Sequence, residues 1–430
     1  MSGSGKFPSI KVNKVISMID SSIDIRIIDL NPHQEIEIRA KRISYGIKQY
    51  YLGSYAKFRA NAEGMVNLAE QEPLSGTYSG VDGMGLFWSL EVMGEIYDIG
   101  PNEINHPLSP QTVTLTLLID NKVVDEITIT RQWQAEHITR KPVREDGLVG
   151  TFFYEENTNP KLGIIVLGGS EGGIYEYPAT LLAAHGYSVL ALAYFGVENL
   201  PVNCVNIPLE YIEIAINWMK NQDKVANGWL GIHGTSKGAE LALLSASLFS
   251  EIRSVVALNG FAVAFSGIVP WSDKDELPPA WLYNNEPLPY LSPKNPIDVA
   301  LKCMKMWNER KGNPFGEWYA ALASNPVEVK KAEIPVEKIN GSILLITGKE
   351  DDVDTTGLSK IAIDRLKKFN CTNEYEHIVY PGAGHSIGIP NIIQSYNQGN
   401  KYDTNNASKD SWLKTIDFYK QSYKNANLYK

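Results

Sequence analysis

The chain has few cysteines, and none of them stands in a metal-binding pattern. Three are present in 430 residues, Cys204, Cys303 and Cys371, and they form neither a CxxC pair nor a Cys/His spacing suited to zinc. An odd number of widely separated cysteines is typical of a reducing compartment. We therefore predict a protein without a metal site, and no motif in the sequence calls for a cofactor.

Long apolar runs are also missing. No run reaches about 18 consecutive apolar residues, the length that crosses a bilayer, so we predict no membrane span. The first residues, MSGSGKFPSIKVNK, lack the apolar core of a signal peptide, and the last four, NLYK, match no peroxisomal or endoplasmic-reticulum address. We expect a cytoplasmic protein.

Positive charge is not in excess. The sequence has 40 Lys and Arg against 49 Asp and Glu, a formal net charge of −9, which disfavours nucleic acid and anionic lipid as partners. Any anionic ligand has to meet a local positive site. With 43% hydrophobic and 21% charged residues, the composition is that of a globular protein, and the length favours two domains. The sequence leaves the oligomeric state open.

Short alternating segments fill the region from Ile23 to Trp133. In Glu35–Arg39 and Val113–Leu117, apolar and polar residues alternate as in strands with one solvated face. Turn signals separate such segments, and long helical periodicity is scarce. This pattern predicts an all-β, immunoglobulin-like sandwich over residues 13–140.

The character of the sequence changes after the polar segment 134–146. Leu162–Leu167 is a continuous apolar run, typical of a parallel strand buried on both faces, and helical and strand patterns alternate after it. We predict an α/β domain with a mainly parallel sheet over residues 141–425. Prolines and aromatic residues mark an insertion at about 260–335.

A G-x-S-x-G pattern stands at Gly234–Gly238. Its glycines permit the sharp strand-to-helix turn that holds a serine hydroxyl exposed. Ser236 follows a predicted strand, Trp229–His233, and precedes a predicted helix, Ala239–Phe249, as this turn requires. Because the chain contains a second match at Gly168–Gly172, context has to separate the two, and it favours Ser236 as the nucleophile.

The second match follows the first strong strand of the α/β domain. Hydrolases whose serine lies on such a strand-to-helix turn have a loop at this position. A backbone N–H of that loop binds the oxyanion of the tetrahedral intermediate. We predict the N–H groups of Ser170, Glu171 and Lys237 as oxyanion donors. The Lys237 side chain is either solvated or a contact for a phosphate group of the ligand.

A serine nucleophile needs a base, and His385 is our candidate. It follows a late strand in a Gly-Ala-Gly-His turn. The other histidines lie in or beside the β domain, inside strands or at a helix end: His33, His106, His137, His185, His233 and His377.

The carboxylate that orients the base is expected in an acidic loop after the strand Ile343–Thr347. Asp351, Asp352 and Asp354 compete for this role, and periodicity favours Asp351 only slightly. The chain order Ser, Asp, His is that of the α/β-hydrolases.

These residues resemble the acyl-CoA thioesterase and bile acid-CoA:amino acid N-acyltransferase (BAAT) family. The similar segments span most of the chain: SGTYSGVDGMGLFWS (75–89), IVLGGSEGG (165–173), HGYSVLALAYFG (185–196), GTSKGAE (234–240) and YPGAGH (380–385). The resemblance implies a β-sandwich joined to an α/β-hydrolase domain. It also implies Asp351 as the acid, because Gly348–Asp351 matches the family's Gly-x-x-Asp unit.

The resemblance further implies an acyl-CoA substrate. The family's transferases carry cysteine as nucleophile, so Ser236 implies hydrolysis of an acyl-CoA to free acid and CoA. We expect an acyl chain of medium or long length. Three alternatives stay open: acyl transfer to an amino acid or another acceptor, hydrolysis of a carboxylic ester or lactone, and a non-enzymatic scaffold. Residues 386–390 read SIGIP where relatives often have a Glu-Pro-Pro run.

Overall fold

The computed structural model describes residues 7–44, 49–96, 106–269, 277–309, 311, 314–353, 355–393 and 399–428. Contacts within the chain divide it into two units, with the main boundary between Ala135 and Glu136. This boundary lies inside the polar segment 134–146. A short segment that starts at Ile389 belongs to the first unit.

The first unit is built from strands with one buried face. In the strand Glu35–Ile43, Ile36, Ile38 and Ala40 are buried while their neighbours face solvent, as the alternation predicts. Its described strands are β1 (Ser9–Val12), β2 (Ile16–Met18), β3 (Ile25–Ile28), β4 (Glu35–Ile43), β5 (Gln49–Arg59), β6 (Val66–Asn67), β7 (Ser75–Gly76), β8 (Glu91–Ile96), β9 (Gln111–Ile119) and β10 (Lys122–Gln132). A short helix, α1, spans Gly85–Trp88.

These strands form two sheets. One has the order β1-β3-β6, and the other has the order β2-β10-β9-β4-β5-β7, with β8 also paired to β5. All described pairs are antiparallel except β2 with β10. The first unit is therefore an all-β region, as predicted, and its immunoglobulin-like topology stays a prediction.

The second unit alternates strands and helices. Its strands in the described residues are β11 (Ile138–Val143), β12 (Val149–Glu155), β13 (Gly163–Leu167), β14 (Ser188–Ala193), β15 (Ile207–Pro208), β16 (Leu230–Thr235), β17 (Ile252–Leu258), β18 (Trp281–Tyr283), β19 (Glu286–Pro287), β20 (Ser342–Gly348) and β21 (Tyr375–Tyr380). Its helices there are α2 (Glu176–Ala184), α3 (Glu210–Lys220), α4 (Lys237–Leu248), α5 (Pro296–Glu309), α6 (Pro314–Leu322), α7 (Pro326–Ala332), α8 (Thr355–Lys368) and α9 (Lys401–Leu428), and a 3-10 turn spans Val336–Lys338. No described helix is long and apolar enough to cross a bilayer.

The main sheet has the order β11-β12-β14-β13-β16-β17-β20-β21. Only β12 runs antiparallel to its neighbours, and the other described pairs of this sheet are parallel. This is the sheet of an α/β-hydrolase. Because the carboxyl ends of parallel strands meet at one edge, the loops after β13, β16, β17, β20 and β21 converge there.

The central strands are buried on both faces. All residues of β13 and β14 are buried, as their continuous apolar runs predict. The polar segment 134–146 contains β11, an edge strand, so it is not a simple linker.

The final helix α9 was not predicted. Its buried face is largely polar and includes Thr404, Asn405 and Ser408, so it lacks the apolar stripe that reveals most helices. Tyr419 is fully buried on it and donates a hydrogen bond of 2.9 Å to the carbonyl of Ile232 in β16.

The same strand β16 carries a buried histidine, His233, which lies between Val166 and Val256 of the neighbouring strands. It is 1% exposed, and its Nδ1 has no hydrogen-bond partner among the described residues. Burial lowers the pKa of His233 to about 4, because the imidazolium loses its hydration.

His233 makes stability depend on pH. Near pH 7 the side chain is neutral in both states. As the pH falls, the unfolded chain, with a histidine pKa of about 6.5, takes up the proton first. We expect the free energy of unfolding of the wild type to fall between about pH 6.5 and pH 4 by up to roughly 3 kcal/mol more than that of His233→Leu. Urea unfolding of both proteins at a series of pH values measures this difference, and parallel curves would contradict it.

Candidate active site

Ser236 occupies a strained turn between β16 and α4. Its backbone has φ 55° and ψ −118°, a combination that residues other than glycine rarely adopt. The two glycines of the motif permit the close packing of this turn. A Cβ at Gly234 would lie 2.1 Å from the carbonyl oxygen of Gly238, and one at Gly238 would lie 2.2 Å from that of Gly168. The Ser236 N–H donates to the carbonyl of Leu258 at 2.8 Å.

Three predicted side chains form one hydrogen-bonded chain. Ser236 Oγ lies 3.1 Å from His385 Nε2, and His385 Nδ1 lies 2.7 Å from Asp351 Oδ2. The Asp351 side chain is fully buried, whereas that of His385 is 30% exposed. A carboxylate at Nδ1 favours the tautomer with its proton on Nδ1, which leaves Nε2 free to accept the serine proton.

The structure separates the three acidic candidates. Asp351 contacts His385, and its second oxygen accepts the backbone N–H of Val353 at 3.0 Å. Asp352 is exposed. Asp354 lies outside the described residues.

The loop with the second motif lies beside the nucleophile. A Cβ placed on Gly169 would lie 3.4 Å from Ser236 Cβ and 3.0 Å from a carboxylate oxygen of Glu171. The buried Tyr194 hydroxyl donates to the carbonyls of Gly168 and Gly169, at 2.8 and 3.2 Å, and so holds this loop. This role of Tyr194 was not predicted from the sequence.

The predicted oxyanion donors lie on the loop after β13 and at the start of α4. Ser170 and Glu171 are exposed on the loop, and the Lys237 N–H belongs to the first turn of α4. In the part of the chain that the structure describes, no acceptor is bound to this N–H. The donor role stays a prediction.

The position of the Lys237 side chain shows that both expectations, solvation and a phosphate contact, were wrong. It is neither solvated nor placed to bind a phosphate, because its Nζ is buried and ion-paired with Glu240 at 2.9 Å. The side chains are 3% and 0% exposed. Lys237 Nζ also donates to the carbonyls of Phe265 and Ser266, at 3.2 and 3.4 Å.

Glu240 connects the nucleophile helix to the insertion. Besides Lys237, it accepts hydrogen bonds from the Trp281 indole at 2.5 Å and from the Phe265 N–H at 3.0 Å. Burial raises the pKa of the Glu240 carboxyl, and the positive charge of Lys237 opposes this rise. The signal in the sequence is a Lys and a Glu three positions apart on one helix.

An aromatic cluster of Phe261, Phe265 and Tyr319 lies in the insertion. Tyr319 stacks on Phe261 with ring centroids 5.1 Å apart and meets Phe265 edge-on at 5.2 Å. Val353, two residues after Asp351, belongs to the same apolar core. The cluster therefore adjoins the loop of the acid.

The other histidines lie away from this constellation. His233 is in the sheet, His377 on β21 contacts Thr347 Oγ1 at 2.9 Å, and His185 ends α2. His33, His106 and His137 are exposed. Among the described residues, no group of three or more His, Cys, Asp or Glu is placed to hold a metal ion.

The buried pair predicts a large asymmetry between single and double variants. We expect Lys237→Met to lower the free energy of unfolding by about 3–5 kcal/mol, because it leaves the Glu240 carboxylate buried without its counter-charge. The loss should grow as the pH rises, since ionisation of a carboxyl whose pKa is raised opposes folding. Urea unfolding measures both effects.

Two further variants complete that measurement. Lys237→Met combined with Glu240→Gln should lose less stability than Lys237→Met alone, because no charge is left unpaired. Lys360→Met breaks an exposed ion pair with Asp364 and should lose only about 0.5 kcal/mol. Equal losses for the buried and exposed lysines would contradict the prediction.

The relatives of this chain include proteins named as thioesterases and proteins named as N-acyltransferases. It is 29% identical over 383 residues to the mitochondrial acyl-coenzyme A thioesterase 2 of Mus musculus, covering 86% of this chain and 77% of that protein. It is also 29% identical over 387 residues to the human bile acid-CoA:amino acid N-acyltransferase, covering 87% and 86%. A peroxisomal succinyl-coenzyme A thioesterase of Mus musculus is 29% identical, with 86% and 83% covered.

Two family regions match most of the sequence. Residues 20–145 match the acyl-CoA thioester hydrolase/BAAT N-terminal region, and residues 207–425 match the BAAT/acyl-CoA thioester hydrolase C-terminal region. The second match alone covers half of the chain. The chain therefore belongs to the acyl-CoA thioester hydrolase/BAAT family.

Proposed function

We propose that this protein is a serine acyl-CoA thioesterase. The observation that carries the proposal is the hydrogen-bonded chain from Ser236 through His385 to Asp351, with Ser236 on a strained turn. Thioesterases among the relatives support an acyl-CoA substrate. A serine nucleophile favours water over an amine as the final acceptor, in keeping with the resemblance.

The reaction begins with proton transfer. His385 Nε2 takes the proton of Ser236 Oγ as the oxygen attacks the thioester carbonyl. The tetrahedral intermediate collapses, the C–S bond breaks, and CoA leaves as the thiol with the proton from His385, which becomes neutral again. Asp351 stabilises the imidazolium and keeps its orientation. Water, deprotonated by His385, then attacks the acyl-enzyme and releases the free acid.

The developing oxyanion needs preorganised donors. We assign the N–H groups of Ser170, Glu171 and Lys237 to this role, in agreement with the position of the Gly169 loop beside Ser236. One such donor typically contributes roughly 3 kcal/mol to transition-state stabilisation. Tyr194, which holds the carbonyls of this loop, keeps it in place.

The aromatic cluster is our candidate wall for the acyl chain. Phe261, Phe265 and Tyr319 adjoin the acid loop, and hydrocarbon burial contributes about 0.8 kcal/mol per methylene. This favours a medium- or long-chain acyl group. We further propose that the first unit is an immunoglobulin-like sandwich and that the second unit is the catalytic domain.

Thiol release from acyl-CoAs tests the function. The purified protein is incubated with acyl-CoAs from acetyl to palmitoyl, and free thiol is followed with a chromogenic disulfide. We expect release that peaks at medium or long chains, is unaffected by added glycine, and falls at least about 10³-fold in Ser236→Ala and His385→Ala. Asp351→Asn should fall by about 10³ to 10⁴-fold because the wrong tautomer forms.

Ser247→Ala is the matched control, because Ser247 lies on the same helix and its hydroxyl donates to the Leu244 carbonyl. It should keep wild-type activity. Glycine-dependent formation of an acyl-amide would favour the acyltransferase alternative. No release from any acyl-CoA, while Ser236 still reacts with a fluorophosphonate, would exclude the thioesterase and favour an ester or lactone substrate.

A further inference from the structure

The end of strand β17 touches all three parts of the candidate triad. Leu258, its last residue, accepts the N–H of Ser236 at 2.8 Å. Asn259, the next residue, reaches the loops of the other two side chains. These loops are far apart in sequence, and Asn259 lies between them in the fold because β17 is next to β20.

The Asn259 side chain bridges the two loops. Its Oδ1 accepts the N–H of Gly348, at the start of the acid loop, at 3.3 Å. Its Nδ2 donates to the carbonyl of His385 at 2.6 Å and to that of Ile387 at 3.3 Å. One N–H donor on one side and two carbonyl acceptors on the other determine which way the amide points.

Asparagine suits this position for two reasons. Its backbone has φ 47°, the left-handed region that asparagine tolerates better than most residues, and its own N–H donates to the Ile346 carbonyl at 2.8 Å. Asn259 is fully buried. If its side chain is removed, the backbone groups that it binds lose a hydrogen bond, and no solvent is at hand to replace that bond. Aspartate would tolerate the same backbone but has no hydrogen to donate to the two carbonyls.

Other contacts hold the segments on either side of His385. Before the histidine, the Lys349 N–H donates to the Tyr380 carbonyl at 3.0 Å, and the Glu350 N–H donates to the Ala383 carbonyl at 2.9 Å. After it, Gly388 N–H donates to Ser408 Oγ at 3.2 Å. Asn259 acts on the histidine itself, through its own carbonyl.

We propose that Asn259 is a positioning residue that keeps His385 within hydrogen-bonding distance of Ser236 and Asp351. This rests on the proposed serine-hydrolase function, since it assigns Asn259 no chemistry of its own. Proton transfer needs the 3.1 Å approach of Nε2 to Oγ, and a misplacement of about 1 Å can slow such a step by about 10²-fold. Loss of the bridge therefore slows both steps that use His385, acylation and deacylation, and leaves acyl-CoA binding unchanged.

The test compares Asn259→Gly and Asn259→Asp with wild type. Glycine accepts the positive φ and removes the bridge, whereas an ionised aspartate keeps an acceptor for Gly348 but directs a carboxylate oxygen at the two carbonyls. The readouts are the rate of Ser236 labelling by a fluorophosphonate, and kcat and KM for an acyl-CoA. Both variants should lower the labelling rate and kcat at least tenfold, with KM within twofold of wild type. Asn370→Gly, at φ 51° after α8, is the matched control and should stay within twofold throughout.

A His385→Ala background separates positioning from general damage. Because Asn259 acts through His385, Asn259→Gly should change the residual labelling rate of His385→Ala by less than twofold. The proposal is overturned if Asn259→Gly labels within twofold of wild type, if its loss is as large in the His385→Ala background, or if both Asn259 variants fail to fold. Labelling needs no CoA thioester, so a failed thioesterase assay with intact labelling would refute the proposed substrate and leave the role of Asn259 measurable.

Discussion

The turn at Ser236 is the constraint on which the rest of the site depends. A residue with a side chain at φ 55° is strained by about 1–3 kcal/mol, and the surrounding packing has to maintain it. Because Gly234 and Gly238 have no Cβ, they can pack directly against the backbone carbonyls of Gly238 and Gly168. The Leu258 carbonyl accepts the hydrogen bond of the serine N–H. The hydroxyl is thereby directed to the edge of the sheet, where the loops of the base and the acid also end.

Behind that turn lies a second constraint, the buried charge of Lys237. An ammonium without water is tolerated only because Glu240 and two carbonyls surround it. The same carboxylate binds Trp281 and Phe265 of the insertion, so the charge pair joins the nucleophile helix to the segment that covers it. Specific geometry is a reason to retain such a pair in spite of its desolvation penalty.

Much of the fold could be predicted because its signals are local. The apolar run of β13 and the alternation in β4 reflect burial of each strand, and Ser236 and His385 follow strands with turn glycines. Asp351 could not be separated from its neighbours by periodicity, since the choice depends on which loop residue faces His385. Lys237 was wrongly expected to meet solvent or phosphate, because its burial depends on a segment that is distant in sequence and supplies the Phe265 and Ser266 carbonyls. The polar face of α9 and the bridge made by Asn259 likewise depend on tertiary contacts.

The position of α9 has a consequence for biosynthesis. The triad joins residues 149 positions apart, and the strand that carries its nucleophile is capped by Tyr419 from a helix that ends at Leu428. Until this helix has been synthesised, the part of the sheet that it contacts, at β16, β17, β20 and β21, stays uncovered. A chain whose synthesis stops before this helix would therefore expose apolar sheet surface that chaperones and proteases recognise as unfolded.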